Sequence, residues 1–289
     1  MKDIAVLLTC YNRKEKTIKS LEHLFEASKL IKNELNLSIY LTDDGSTDGT
    51  SNAVSEKFPN ITILKGNGSL FWAGGMRNSW NEALKKTYDG YLLLNDDTNV
   101  FPNLFNELFL THAKGIEKHG ISGIYIGSTK DEQSKKLSYG GAILTNKFLF
   151  KYHFISPTGS VQNCHLGNAN IMLVAHEVVA KIGILSEGYA HGVADYDYTL
   201  KAIRKNIPVL ITPNFCGSCT DDHENIYDNY HSKTIKERYR LLKNPLGLDF
   251  NSNLTLMKRH FPFRVPFVIV SAILKVLLPK IYVKGLSKR

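Results

Sequence analysis

The stretch YLLLNDDTNV, residues 91–100, decides the fold: residues 91–95 read as a buried strand that runs straight into two adjacent carboxylates, Asp96 and Asp97. Two like charges side by side repel, so the pair needs a cation between them. A hard divalent ion suits such a pair, because Mg2+ and Mn2+ bind through one or two protein carboxylates plus the phosphates of a substrate. The same residues could equally cap a turn or helix beginning near Thr98.

Upstream of this stretch the chain alternates. IAVLLTCYN (4–12), LSIYLTDDGSTDGT (37–50) and ITILKGNG (61–68) are apolar runs that break into polar residues. Helical spacing fills the gaps over residues 14–35, 50–58 and 76–86; in the first, Ile18, Leu21, Leu24, Phe25 and Leu35 fall mostly on one face. Strand and helix in alternation predict a parallel sheet with flanking helices. Ligands of such sheets bind beyond the carboxyl ends of the strands. The polar groups sit there: Tyr11 and Asn12, Asp43 and Asp44, residues 66–69 including Asn67, and Asp96 with Asp97. Past residue 100 the pattern loosens, with strands expected at 121–128, 138–146, 147–155 and 207–213 and helices at 176–183 and 195–206.

Composition narrows the class. Over 289 residues, 43% are hydrophobic and 22% charged, which is enough apolar material for a real core. The net charge is +9, and +6 of it lies in residues 264–289, where no acidic residue occurs. The body carries too little excess charge for a nucleic-acid groove, whereas the tail points to an anionic surface. Cys10, Cys164, Cys216 and Cys219 do not form a secreted disulfide framework, and residues 1–13 read as a first strand and not as a signal peptide. A cytoplasmic protein is expected.

Together, TCYNR, TDDGSTDGT and NDDT after the first, second and fourth strands resemble the N-terminal half of family 2 inverting glycosyltransferases. GNGSLFWAGGMRNSWNEAL (66–84), GNANIMLVAHEVVAKIGILSE (167–187) and HGVADYDYTLKAIRKNIPVLITP (191–213) extend the likeness. KERYRLLKNPLGL (236–248) and KRHFP (258–262) resemble the extension of a rhamnosyl- and galactosyltransferase-like branch of surface-polysaccharide assembly.

The resemblance implies an α/β fold of the GT-A, Rossmann-like type with a mixed, mostly parallel sheet. Residues 1–215 would form the catalytic domain, with a nucleotide-sugar half (1–100) and an acceptor half (101–215). Residues 216–263 would lie over the site, and 264–289 would form a basic, apolar membrane-surface segment. Tyr11, Asn12, Asp43, Asp44, Asn67, Arg77 and Asp96 would bind the donor nucleotide. Asp97 would hold Mg2+ or Mn2+, with Asp96, His223 or His231 as further candidate ligands. Asp195 would be the general base, and Trp72, Asn168, Asn170 and Asp197 would face the sugar or acceptor. The donor would be a UDP- or dTDP-sugar and the acceptor a saccharide or lipid-linked saccharide, on the inner face of the cell membrane. Two departures stand out: Ala194 precedes Asp195 where many relatives have Glu, and residue 95 is Asn.

Other readings remain at this point. Asp197 could be a structural partner of Asp195. A degenerate, non-catalytic sugar-nucleotide binder and a nucleotidyltransferase share parts of the pattern, while a dinucleotide-binding oxidoreductase lacks its G-x-G-x-x-G. Cys216, Cys219, His223 and His231 could form a zinc site, although their spacing matches no strong zinc pattern, or could be thiols and imidazoles of a loop over the donor site. VPFVIVSAIL (265–274) is too short to span a bilayer, and suits either an interfacial helix or one packed on the body.

Overall fold

In the computed structural model, residues 1–31, 35–220, 226, 227 and 229–285 are described. The first half builds β1 (Asp3–Cys10), α1 (Lys14–Lys29), β2 (Asn36–Asp43), α2 (Thr50–Lys57), β3 (Thr62–Lys65), α3 (Phe71–Ala83) and β4 (Gly90–Leu94). Then follow β5 (Asn99–Val100), α4 (Leu104–His119), β6 (Ile124–Lys130), β7 (Leu137–Tyr139), β8 (Gly141–Asn146), β9 (Lys151–Phe154), β10 (Gln162–Asn163), β11 (Leu166–Gly167) and β12 (Ile171–Ala175). The chain closes with α5 (His176–Ile182), α6 (Ala194–Ile203), β13 (Val209–Ser218), α7 (Ile235–Lys243), α8 (Phe250–His260), α9 (Val265–Leu277) and α10 (Pro279–Gly285).

The main sheet has the order β3-β2-β1-β4-β12-β6-β13-β10, with β5 on β13 and β7 on β6. β3, β2, β1 and β4 are mutually parallel, β12 runs against β4 and β6, and β13 is again parallel to β6. The fold is therefore the expected α/β class, a mixed and mostly parallel sheet flanked by helices. β1 is buried from Ile4 to Cys10, as a strand covered on both faces must be. α3 lies on β1 and β2, and α4 on β6 and β13. Trp80 of α3 anchors this layer, its ring centroid 5.7 Å from that of Tyr91 and 5.5 Å from that of Tyr198. α3 can approach only because residue 75 is glycine: a Cβ there would lie 2.0 Å from Thr9 Oγ1. A second, three-stranded sheet, β11-β8-β9, stands beside the main one.

Among the boundaries that depart from the sequence reading, three bear on the site. The helix expected over 76–86 begins at Phe71, because the Asp44 carboxylate accepts the backbone N–H groups of Gly68 (2.8 Å) and Phe71 (2.9 Å) and fixes the chain's entry. The strand expected over 147–155 is confined to β9; residues 147–150 form a turn in which Asn146 Oδ1 accepts from Leu149 N–H at 2.8 Å and Phe150 takes φ 49°. The strand expected over 207–213 continues to Ser218, across the domain boundary expected after residue 215. Among the described residues, no helix is long and apolar enough to cross a membrane.

Candidate active site

A cavity of about 780 Å³ opens at the carboxyl ends of β1, β2 and β4. Thr9, Tyr11 and Arg13 reach it from β1, Asp44 from β2, and Asn95, Asp96 and Asp97 from β4. Across from them, residues 168–170 lead into the antiparallel β12, and α6 presents its first turn with Asp195. Val193, just before α6, adopts φ 58°, a conformation that costs a β-branched residue about 1–3 kcal/mol. The strain aims the start of α6 at the cavity.

The cation between the paired carboxylates is Arg13. Its Nη1 lies 2.6 Å from Asp97 Oδ2 and 3.4 Å from Asp96 Oδ1. Burial, then the charge of Asp97, pushes the Asp96 carboxyl up to about 7, with Arg13 and the Thr17 hydroxyl pulling the other way. Asp97 Oδ1 has the Cys219 thiol at 3.7 Å, and the residue lines the cavity. Asn95 is committed elsewhere: its Oδ1 accepts from Trp72 Nε1 at 2.8 Å. Among the described residues, no group of three or more His, Cys, Asp or Glu side chains is arranged to hold a metal. The donor set still fits a hard cation that arrives with phosphate oxygens, since one cavity-lining carboxylate suffices when substrate and water complete the shell.

Asp195 and Asp197 have different surroundings. Asp195 lines the cavity, where Oδ1 accepts from Tyr196 N–H (2.8 Å) and Oδ2 from Ala169 N–H (3.2 Å). Burial pushes its carboxyl up to about 6 against those hydrogen bonds, within reach of a proton acceptor near neutral pH. Tyr152 and Tyr196 flank it on the wall, their centroids 5.8 Å apart and nearly perpendicular. Asp197 is buried away from the cavity. It accepts from Tyr189 Oη at 2.9 Å, lies 2.8 Å from His260 Nε2 and 3.4 Å from Arg259 Nη1, and so ties α6 to α8.

The model of glycosyl transferase family 2 matches residues 5–174, more than half of the chain. The chain belongs to glycosyl transferase family 2. This glycosyltransferase has solved structural neighbours with the same fold. One is a mannosyltransferase, PcManGT from Pyrobaculum calidifontis, in complex with GDP-Man and Mn2+. It is 14% identical, with a TM-score of 0.50, and the match covers 98% of this chain and 78% of that one. Another is S. aureus TarS 1–349, 15% identical, with a TM-score of 0.51 and coverage of 100% and 76%. No curated protein sequence matches the chain.

Not every residue expected at the glycosyltransferase's site reaches the cavity. Tyr11, Asp44, Trp72, Asp96, Asp97, Asn168, Asn170 and Asp195 line it. Asn12 instead shapes the rim, with φ 51°, its Oδ1 accepting from Thr47 N–H at 2.7 Å and its own N–H donating to Ser46 Oγ at 2.9 Å. Asp43 accepts from Ser46 N–H at 2.8 Å and from the Ser51 hydroxyl, so it holds the β2–α2 turn. Asn67 caps its own loop through Ser69 N–H at 2.9 Å. Arg77 points to the 186–189 segment, donating to Ser186 O and Tyr189 O at 3.1 Å each and pairing with Glu187 at 3.2 Å. Asp197 does not line the cavity and sits among Tyr189, Arg259 and His260.

The zinc and histidine expectations also change. His231 is exposed in a short turn over Tyr230–Ser232 and does not line the cavity, and His223 lies outside the described residues. Cys216 is buried in β13 beside Thr212, while Cys219 faces Asp97, so the two thiols serve different neighbourhoods. Sequence reasoning missed Arg13, Tyr152, His191 and Tyr196 on the cavity wall. Arg13 could have been found, since it stands in TCYNR at the end of the first strand and the carboxylate pair demands a cation. Tyr152 carried no signal, because only the pairing of β8 with β9 brings it over the site.

Proposed function

We propose that the chain moves a sugar from a UDP- or dTDP-linked donor to a hydroxyl of a saccharide or lipid-linked saccharide, with inversion at the anomeric carbon. The observation that carries this reading is one cavity lined at β1, β2 and β4 by Arg13, Asp44, Asp96 and Asp97 and at α6 by Asp195. Asp44 is spent on the 68–71 backbone and the Asp96–Asp97 pair is shared with Arg13. Among the described residues, that leaves Asp195 as the carboxylate on the acceptor wall. The acceptor O–H gives its proton to Asp195 as the oxygen forms a bond to the anomeric carbon. The bond from that carbon to the diphosphate oxygen breaks, and its electron pair leaves with the nucleoside diphosphate. With Asp195 acting as base and not as nucleophile, the acceptor oxygen attacks the anomeric carbon directly and the configuration inverts. Asp97 would hold a divalent cation, Mg2+ or Mn2+, that arrives with the donor and would supply positive charge beside the diphosphate. The rings of Tyr152 and Tyr196 offer apolar faces on which a pyranose can rest beside the base.

We place this activity in surface-polysaccharide or lipopolysaccharide assembly, with residues 1–215 as catalytic unit, 216–263 as a cover, and 264–289 holding the protein at the inner membrane face. The acid-free, +6 character of 264–289 supports that last element. The test is turnover of UDP-, dTDP- and GDP-sugars with saccharide acceptors in Mn2+, reading nucleoside diphosphate release and the anomeric proton of the product. Release with an inverted product is expected. A retained configuration removes Asp195 as direct base, and no release from any donor removes the transferase reading.

A further inference from the structure

The turn between β8 and β9 is built outward. Asn146 pins the turn from below, and Phe148 at its tip is 61% exposed, with Leu149 beside it. The turn reads Lys-Phe-Leu-Phe over residues 147–150, and the exposed ring of Phe148 adds little to the core. Phe148 is not isolated, however. Its ring stacks on Phe263 at 5.3 Å and 5°, its carbonyl accepts from Arg264 Nη1 at 2.6 Å, and neighbouring Phe150 packs on Phe261 at 5.0 Å.

Phe263 begins a stripe. Phe263, Phe267, Val270, Ile273, Leu277 and Ile281 follow one another at intervals of three or four residues, and all are exposed, Phe267 to 60%. The opposite side of α9 is buried through Ala272 and Val276, which pack with Leu242 of α7. Eight of the 21 exposed large apolar side chains among the described residues belong to this stripe or to the β8–β9 tip. Exposed apolar side chains grouped in this way mark an interaction site. Its surroundings are cationic: Lys147, Arg264 and Lys280 accompany it, and residues 264–289 hold no acid. Two copies meeting face to face would oppose like charges, whereas an anionic bilayer supplies both the apolar medium and the countercharge. α9, at 13 residues, is too short to span and suited to lie in the interface.

We propose that the β8–β9 tip and the α9–α10 stripe form one membrane-docking surface on anionic lipid, with Phe148 and Leu149 as a second anchor from inside the catalytic fold. The inference rests on the membrane-surface reading of residues 264–289 and deepens it. Its consequence is orientation. The strand that begins at this tip carries Tyr152 to the cavity wall beside Asp195, so the bilayer contact and the acceptor side share one hairpin.

Co-sedimentation of the full chain with phosphatidylglycerol/phosphatidylcholine vesicles, and with pure phosphatidylcholine, tests this. Four variants are compared: Phe148→Ser with Leu149→Ser, Phe148→Ser alone, Val270→Ser with Ile273→Ser, and Leu30→Ser as an exposed control far along the chain. Thermal midpoints and gel-filtration mass are read alongside. The wild type is expected to bind the anionic vesicles selectively. Both double variants should lose roughly tenfold or more in partition with unchanged midpoints, Phe148→Ser a smaller share, and Leu30→Ser nothing. Loss on changing α9 but none on changing the tip overturns the second anchor and leaves the C-terminal reading standing. No vesicle binding by the wild type overturns both, and a dimer that becomes a monomer only when the stripe is changed assigns the surface to a second copy.

Discussion

Asp195→Asn reduces sugar transfer by about 10³-fold or more, while the affinity for the nucleoside diphosphate stays within about twofold of wild type. The loss follows from removing the one acceptor-side group able to take the hydroxyl proton, an effect of roughly 10²–10⁴-fold for a positioned general base. Donor affinity survives because Asp44, Asp97 and Arg13 lie at the strand ends, on different elements from α6. The substitution is isosteric, and the amide oxygen can still accept one of the two backbone N–H groups that Asp195 now holds. The pH profile adds a sign. A base is active only when deprotonated, and burial raises this carboxyl to about 6, so Asp195 itself adds no pH dependence to kcat/KM well above that value. Below it, kcat/KM falls tenfold per pH unit. Steady-state rates from pH 5 to 8, with donor affinity by calorimetry, check both parts. An equal loss of transfer and donor affinity would show that Asp195 shapes the donor site and is not the base.

Asp197→Ala lowers stability by about 3–5 kcal/mol, the cost of removing one member of a buried, hydrogen-bonded charged group. The carboxylate is 1% exposed, and its loss leaves the buried Tyr189 hydroxyl and His260 facing a void between α6 and α8. Burial opposes ionisation of Asp197, but hydrogen bonds from His260, Ser186 and Tyr189 outweigh it and hold the carboxyl below its ordinary range. Its stabilisation is therefore present above the ordinary carboxylate range and lost as pH falls through the lowered value. Denaturant melts of wild type and variant at pH 7 and pH 3 should show the gap closing in acid. A variant as stable as wild type at pH 7, but with weakened acceptor use, would return Asp197 to the acceptor site.

The N-terminal half of the fold was legible because each strand there is a continuous apolar run ended by turn residues, and parallel pairing leaves that signature plainly in the chain. β1 to β4 fall where the runs fall. The second half was less so. β12 enters the sheet antiparallel between β4 and β6, β8 and β9 form a separate sheet, and nothing local in GNANIML or KFLFKYHF states those partners.

The site divides along the same line. Residues that follow directly from strand ends, Asp44, Asp96 and Asp97, reach the cavity as the motif positions suggest. Asp43 and Asn12 share those motifs, yet their oxygens are taken by neighbouring backbone N–H groups and the Ser51 hydroxyl, an outcome that motif position cannot distinguish from ligand binding. Arg77 and Asp197 were assigned to the site from helices, where one residue's difference turns a side chain about 100°. Both instead tie the 186–189 segment and α8 to the body. Tyr152 required knowledge of a strand pairing, and no residue pattern within a single segment supplies that.

The most direct measurement is calorimetric binding of UDP, dTDP, GDP and CDP to the wild type and to Asp97→Ala, each in Mn2+ and in EDTA. The expected result is binding of one nucleoside diphosphate that needs the metal and is lost in Asp97→Ala. With ligand at 100 times its dissociation constant, such binding raises wild-type stability by about 2.7 kcal/mol. Binding that is indifferent to EDTA and to Asp97 would contradict the metal role of the β4 carboxylates, and no binding of any of the four would contradict the nucleotide-sugar site itself.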